Sequence, residues 1–375
     1  MNPMRFTLLP LLLAGALFAC GDEDPVEPDG PSPYESMLLG GDVSALARIE
    51  AGGSVFRDDG QPTDALAALV AHGSNAFRLR LFVDPSGAEV QVNDLPYTIA
   101  LAERVKAAGA TLMLDFHYSD TWADPSKQFI PAAWDSVNFD VLEQQVEAYS
   151  ADVIAQLKDA GVLPDIVQIG NEIDGGLLWP LGKIGWEGYD EPVNYERFGR
   201  LLKAGIRGVR SALGPDDDVR IMLHYSQGAS LGGTQWFFDH VEAQDVPYDM
   251  IGLSWYPYWH GTLAQLEANL EATALRYGKD IVVVETSYHW RSGWTPPAAR
   301  AGWQAWPLTR DGQARFLRDL LDVVAATPND LGAGVVWWYP EAIRTTGLFV
   351  WGDGALALFD DEGEILPAAS VFGGD

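Results

Sequence analysis

From about residue 37 onward, short apolar runs alternate with longer segments in which apolar residues recur every three or four positions. The runs at 37–44, 75–83, 111–118, 166–172, 219–226, 249–256, 281–287 and 332–339 have the length and composition of buried strands. The segments between them read as helices. The clearest is 139–160, where Leu142, Val146, Tyr149, Val153 and Leu157 fall on one face. Others cover 64–73, 96–109, 195–213, 262–277 and 311–326. Gly73, Gly109, Gly161 and Gly278 follow helical segments, where a C-terminal cap favours a residue free to turn left-handed. Eight strand–helix alternations predict a parallel sheet covered by helices, and eight is the number that closes a (β/α)8 TIM barrel. A doubly wound open sheet is the alternative. It is disfavoured because no glycine-rich phosphate loop follows the first strand.

A barrel makes a further demand: its chemistry belongs at the carboxyl-terminal ends of the strands. Polar and aromatic residues collect there. The second strand ends with Arg78 and Arg80, the third in Asp115-Phe116-His117-Tyr118, and the fourth in Asn171-Glu172. The fifth ends near His224 and Tyr225, the sixth in Trp255-Tyr256, the seventh in Glu285 and the eighth in Trp337-Trp338-Tyr339.

Composition narrows the partners. With 53 Asp+Glu against 24 Lys+Arg, the formal net charge is -29. Such a surface repels phosphate and lacks the basic stripe that nucleic-acid binding needs, and it disfavours anionic lipid and acidic polymers. Neutral ligands remain, and the 14 Trp and 13 Tyr then matter, because sugars present apolar faces that stack on rings. The single Cys excludes an internal disulfide framework and any cysteine-rich metal site. The six His stand singly, without the spacing of a metal cluster.

The amino terminus reads as targeting sequence. Residues 1–19 carry Arg5 and then an apolar run from Phe6 to Ala19, too short to span a bilayer. The run ends in Leu17-Phe18-Ala19-Cys20, which resembles a bacterial lipobox and makes Cys20 the expected lipidation site. An ordinary secretory signal with an incidental cysteine is the plainer alternative. Residues 20–36 are acidic and rich in Pro and Gly, a solvated tether to a folded domain at 37–375. The protein is thus expected to be exported and held at the bacterial envelope or cell surface, touching membrane only through its lipid.

Two acids stand out. Ile166–Glu172 and Ile281–Glu285 are both buried-strand patterns that end in a carboxylate, and burying an unpaired carboxylate is costly. A salt bridge to a nearby arginine would explain each one structurally. Two of them across one barrel mouth are what glycosidic bond cleavage requires: one acid protonates the leaving oxygen, the other attacks or activates water. Closure of the barrel brings Glu285 near Arg78, which favours an ionised nucleophile. Glu172 has no cationic neighbour in sequence, which suits a proton donor.

At these residues the chain resembles a known family. Asn-Glu ending the fourth strand and Glu ending the seventh look like the large clan of retaining barrel glycosidases. Within it the chain resembles glycoside hydrolase family 53, the arabinogalactan endo-β-1,4-galactanases. The resemblance rests on Leu114–Pro125 (LDFHYSDTWADP), Pro131–Trp134, Gln168–Ile173, Gly176–Pro180, Ile251–Trp259 and Val284–Tyr288, and it spans about 37–373. It implies Glu172 as acid/base, Glu285 as nucleophile and Asn171 as a ligand of the sugar 2-hydroxyl. It further implies that Arg78 orients Glu285, that His117 and Tyr256 line the cleaved subsite with His224 beside them, and that Trp122 and Trp338 are stacking platforms. The substrate implied is galactan or type I arabinogalactan, hydrolysed without a cofactor by a monomer.

The chain also departs from the family. Trp338-Tyr339-Pro340 stands where Trp-Glu-Pro is usual, and His224-Tyr225-Ser226 where His-Leu-Asp is common. The Trp- and Pro-rich loop His289–Thr309 does not match the calcium-binding loop of bacterial members, although scattered oxygen ligands leave little trace in sequence. The departures keep two other readings open, a related barrel glycosidase with another β-linked substrate and a non-catalytic glycan-holding lipoprotein.

Overall fold

A computed structural model describes Met1, residues 34–134 and residues 138–374. The expected signal segment beyond Met1, Cys20 and all but the last residues of the tether lie outside the described residues.

Eight strands close a parallel barrel: β1 Leu38–Asp42, β2 Ala76–Leu81, β3 Thr111–Phe116, β4 Ile166–Ile169, β5 Arg220–Tyr225, β6 Met250–Ser254, β7 Asp280–Thr286 and β8 Gly332–Trp338. Each pairs with its sequence neighbours, and β1 pairs with β8 to close the ring. The helices that follow them in turn are α1 Ala65–Ala71, α2 Leu95–Ala107, α3 Phe139–Asp159, α4 Pro192–Ser211, α5 Leu231–Glu242, α6 Leu263–Tyr277, α7 Arg310–Ala325 and the short α8 Pro367–Ser370. A six-residue helix, Leu46–Ala51, precedes α1. The open-sheet alternative is excluded by closure.

Three helices differ from the expectation, and the last of them, the four-residue α8, is too short for a 3.6-residue repeat to show. α4 begins at Pro192 rather than 195, because Pro is preorganised for the first helical turn and Glu191 and Asn194 cap it reciprocally. α5 is absent from the periodicity reading because Gly232 and Gly233 open it and mask the Trp236, Phe237 and Val241 face. α3 and α4 approach closely through Gly208, where a Cβ would lie 2.3 Å from the Glu147 carbonyl oxygen.

Side-chain alternation divides the core in two. Outward positions such as Leu79, Leu114, Val167, Leu223 and Val283 pack under the helices. Inward positions Ala76, Met113, Ile166, Met222, Met250, Val282, Val284 and Val336 form a separate apolar plug inside the barrel. Two residues further along most of these strands, the inward positions turn polar: Arg78, Asp115, Gln168 and His224 sit on top of the plug. The floor of the mouth is therefore set by the period of two.

Candidate active site

The floor is buried and charged. Arg78 is fully buried, and its Nη2 donates to Asp115 Oδ2 at 2.7 Å, Glu285 Oε1 at 2.8 Å and Asn171 Oδ1 at 2.9 Å. Its Nη1 donates to the Val284 carbonyl at 3.0 Å, and its Nε lies 3.6 Å from Asp42 Oδ2. Facing carboxylates push the Arg78 pKa up despite burial, and Arg78 in turn holds Asp115 well below the usual carboxylate range. Gln168 Nε2 donates to the other oxygen of Asp115 at 2.6 Å. Asp115 is thus an ionised girder of the floor.

Glu285 reaches the mouth through a bulge. β6 and β7 pair Leu253 with Val283 and then Ser254 with Glu285, so Val284 is the extra residue. Val284 keeps its inward place in the plug, and the extra residue turns Glu285 inward as well. Glu285 is 5% exposed, and its second oxygen accepts from the Tyr256 hydroxyl at 3.1 Å. Burial lifts its pKa to about 7, against the pull of Arg78.

Glu172 is held differently. Its φ is 45°, a left-handed conformation that costs a non-glycine residue about 1–2 kcal/mol. The bend is pinned on both sides: Ile173 N donates to the His224 carbonyl at 3.0 Å, and Gln128 Nε2 donates to the Glu172 carbonyl at 3.2 Å. Glu172 Oε1 accepts from Ser254 Oγ at 2.8 Å. Among the described residues, no arginine is bonded to it. Burial first, then the negative charges of Glu285 and Asp174, raise its pKa well above the ordinary range. The two acids therefore share one mouth and differ in proton affinity, Glu172 holding its proton the more tightly.

His224, part of the floor, is fully buried and kept neutral by that burial. Its Nδ1 lies 3.0 Å from Asn171 Oδ1, 3.2 Å from Gln168 Nε2 and 3.3 Å from the Glu172 N–H. Its Nε2 lies 2.8 Å from Ser254 Oγ, the hydroxyl that donates to Glu172. His117, 1% exposed, is buried with its Nδ1 accepting from Ala123 N at 3.1 Å and its Nε2 3.2 Å from Asp115. The expectation that His117 lines the subsite with His224 beside it is corrected: both rings are buried and touch the mouth through Asp115, Ser254 and the 123 backbone.

Above the floor opens a cleft of about 460 Å³, lined among others by Trp122, Asn171, Glu172, Tyr256, Glu285 and Trp338. Asn171 Nδ2 donates to the Ala123 carbonyl at 2.9 Å, which fixes the amide at the cleft wall. Trp122 and Trp338 meet edge to face at 6.1 Å, and the Arg80 guanidinium lies 4.5 Å from the Trp122 ring centroid and 5.5 Å from that of Trp338. The tyrosine in place of the usual glutamate, Tyr339, lies 4.9 Å from the same cation, and its hydroxyl accepts from Arg80 Nη2 at 2.8 Å. Arg80 thus stiffens three aromatic walls at once. The displaced acid, Glu341, is buried behind them with Oε1 accepting from Ala45 N at 2.9 Å.

The structure brings Arg78, Trp122, Asn171, Glu172, Tyr256, Glu285 and Trp338 together at one mouth; Cys20 lies outside the described residues. Sequence reasoning passed over Ser254, Gln128, Trp259 and Trp351. Ser254 begins the Ser-Trp-Tyr-Pro run at the end of β6, which was the available signal; Gln128 and Trp259 lie on loops and Trp351 opens a four-residue 3-10 helix, with no periodicity to place them. Among the described residues, no group of three or more His, Cys, Asp or Glu side chains is set to hold a metal ion. The acids of the floor are instead turned toward Arg78 and Arg80.

Two carboxylic acids of unequal proton affinity, facing a cleft walled with aromatic rings at the top of a barrel, define a glycoside hydrolase. The chain belongs to glycosyl hydrolase family 53, whose sequence model matches residues 38–372. Arabinogalactan endo-β-1,4-galactanase A of Aspergillus niger is 34% identical over 379 residues, covering 99% of this chain and 98% of that one. An uncharacterized protein in the bgaB 5′ region of Niallia circulans is 41% identical over 348 residues, covering 90% and 93%. The solved family 53 catalytic domain of Ignisphaera aggregans superposes with a TM-score of 0.82 at 32% identity, covering 92% of this chain and 98% of that one.

Proposed function

We propose that this protein is a retaining endo-β-1,4-galactanase, with Glu285 as nucleophile and Glu172 as acid/base. The observation that carries the assignment is the unequal setting of the two acids: Arg78 bonds Glu285 at 2.8 Å, whereas Glu172 meets a serine hydroxyl and two negative neighbours. Glu285 attacks the anomeric carbon while Glu172 gives its proton to the departing glycosidic oxygen. Glu172, now a carboxylate, then takes a proton from water as that water attacks the glycosyl ester and releases Glu285. Asn171 binds the 2-hydroxyl, Tyr256 steadies the nucleophile's second oxygen, and Trp122 and Trp338 stack the sugar rings. The galactan substrate is supported by the family and by the named activity of the Aspergillus niger relative.

The test is hydrolysis of unbranched β-1,4-galactan beside β-mannan and β-glucan, with product sizes followed in time. Short galacto-oligosaccharides appearing early, with the other two polymers intact, are expected. Cleavage of mannan or glucan in place of galactan would refute the substrate, and silence on all three would point to glycan holding. Glu285→Ala is expected to abolish turnover in a folded protein. Retained β configuration in the first product, read by proton NMR, checks the double displacement; inversion would overturn it.

The reading extends, on the sequence alone, to export and anchoring through Cys20. Cys20→Ala is expected to move the protein from the membrane fraction to the soluble one. Unchanged fractionation would sink the anchor.

A further inference from the structure

Beside Glu172, in the loops that follow β3 and β4, three large aromatic residues remain uncovered or half covered. Phe129 is 55% exposed, Trp186 is 48% exposed and Trp179 is half-buried. They are not stray surface residues, because each is tied to the backbone of the acid. The segment that carries Phe129 pairs with Trp179, whose N–H donates to the Gln128 carbonyl at 2.6 Å. Gln128 in turn donates from its Nε2 to the carbonyls of Asn171 and Glu172, at 2.8 and 3.2 Å. Both indoles rest on Gly175, three positions after Glu172: a Cβ there would lie 2.6 Å from Trp186 Nε1 and 3.0 Å from Trp179 Cζ2. Trp179 Nε1 donates to the Gly175 carbonyl at 2.9 Å, which fixes the ring's direction.

The rings are also held to one another. Trp179 and Trp186 meet at 5.8 Å with planes 69° apart. The Lys183 ammonium lies 4.1 Å from the Trp179 centroid, 4.4 Å from that of Trp186 and 5.2 Å from that of Tyr189. One cation therefore clamps three rings and leaves donors at their edge. An exposed apolar surface preorganised in this way has little ordering cost left to meet on binding.

We propose that Phe129, Trp179 and Trp186 form a second sugar-binding surface, which stacks the leaving-group side of a neutral β-linked hexose chain beyond the residue released by Glu172. The inference rests on the galactanase reading and extends it along the polymer. The side follows from the chemistry: the acid donates to the leaving oxygen, so the departing chain passes on the outer side of Glu172. The ligand class follows from the surroundings. Ring faces and a lone ammonium suit pyranose C–H faces and hydroxyls, whereas Glu187 and Asp190 in the same loop repel an anionic polymer.

The experiment uses the full chain, with Trp186→Ala and Phe129→Ala made singly and together. Each is assayed on long unbranched β-1,4-galactan and on a nitrophenyl β-galactobioside, whose leaving group is too short to reach the rings. KM for the polymer is expected to rise about five- to tenfold per ring lost, with kcat and the aryl substrate's kcat/KM unchanged. An unchanged polymer KM overturns the proposal. So does an equal loss on both substrates, which would assign the rings a structural role. So does loss of a dimer in sedimentation with polymer KM unaltered, which would make the patch a contact between copies of this chain. If wild-type protein cuts another β-linked polymer instead of galactan, the galactanase reading fails by itself, and the same pair of assays on that polymer still decides the platform.

Discussion

Replacing Arg78 tests the electrostatic argument at its centre. The guanidinium lies 2.8 Å from Glu285 and 2.7 Å from Asp115 and is fully buried. At about 4 Å between charge centres and an effective dielectric constant near 20, one such pair is worth roughly 4 kcal/mol, or about 3 pKa units on Glu285. Burial already lifts that carboxyl to about 7 with the arginine in place. Arg78→Met should therefore move the acidic limb of kcat/KM upward by about 2–3 pH units and cut activity at pH 7 by about 100- to 1000-fold. Stripping the cation from Asp115 as well costs about 3–5 kcal/mol of stability, a large share of the roughly 5–15 available. Arg78→Lys accompanies it, because an ammonium keeps the charge while losing the bond to the Val284 carbonyl. The lysine variant should fold, with its acidic limb displaced by less than one unit. Rates on the aryl galactobioside across pH, with urea unfolding of each variant, supply the measurement. A folded Arg78→Met protein whose acidic limb stays where the wild type has it would refute the reasoning.

Other outcomes follow from the same floor. Ser254→Ala removes the hydroxyl that favours ionised Glu172, so the alkaline limb of the pH profile should rise by about 1–2 units. Asp174→Asn removes a negative neighbour and should lower it, so equal shifts in one direction would show that the limb belongs to another group. Glu341 is pushed up to about 8 by burial and by Asp42, so the folded state keeps a proton that the unfolded chain releases from about pH 4.5. Stability should fall across that window, at about 1.4 kcal/mol per unit of separation, and Glu341→Gln should flatten the decline; parallel Tm–pH curves for the two proteins would contradict this. The charge of -29 repels itself, and raising salt from about 0.1 to 1 M shortens the screening length from roughly 10 to 3 Å. Tm should rise by a few degrees over that range in NaCl; a steady fall would show that the paired surface charges outweigh the repulsion.

What the sequence determined by itself was everything written in a local period. The eight strands follow from apolar runs, six of the eight helices from a repeat of 3.6, and the floor of the mouth from alternation, since Ala76 in the plug puts Arg78 above it. The two acids were legible because a carboxylate that ends a buried strand demands a partner. α5 escaped because its opening glycines blur the repeat, and Trp186 and Phe129 because an aromatic on a loop carries no period. Tertiary structure alone decided how the groups address one another. Only closure of the barrel carries Arg78 across 207 positions to Glu285. Only the bulge at Val284 turns Glu285 inward, and only the pairing of β4, β5 and β6 sets His224 against Ser254 and the serine hydroxyl against Glu172. Those contacts left His117 and His224 buried and set one acid beside a cation and the other beside a serine hydroxyl. Proton affinity in a buried site is set by charges a few ångströms away in space, and such neighbours leave no periodic mark along the chain.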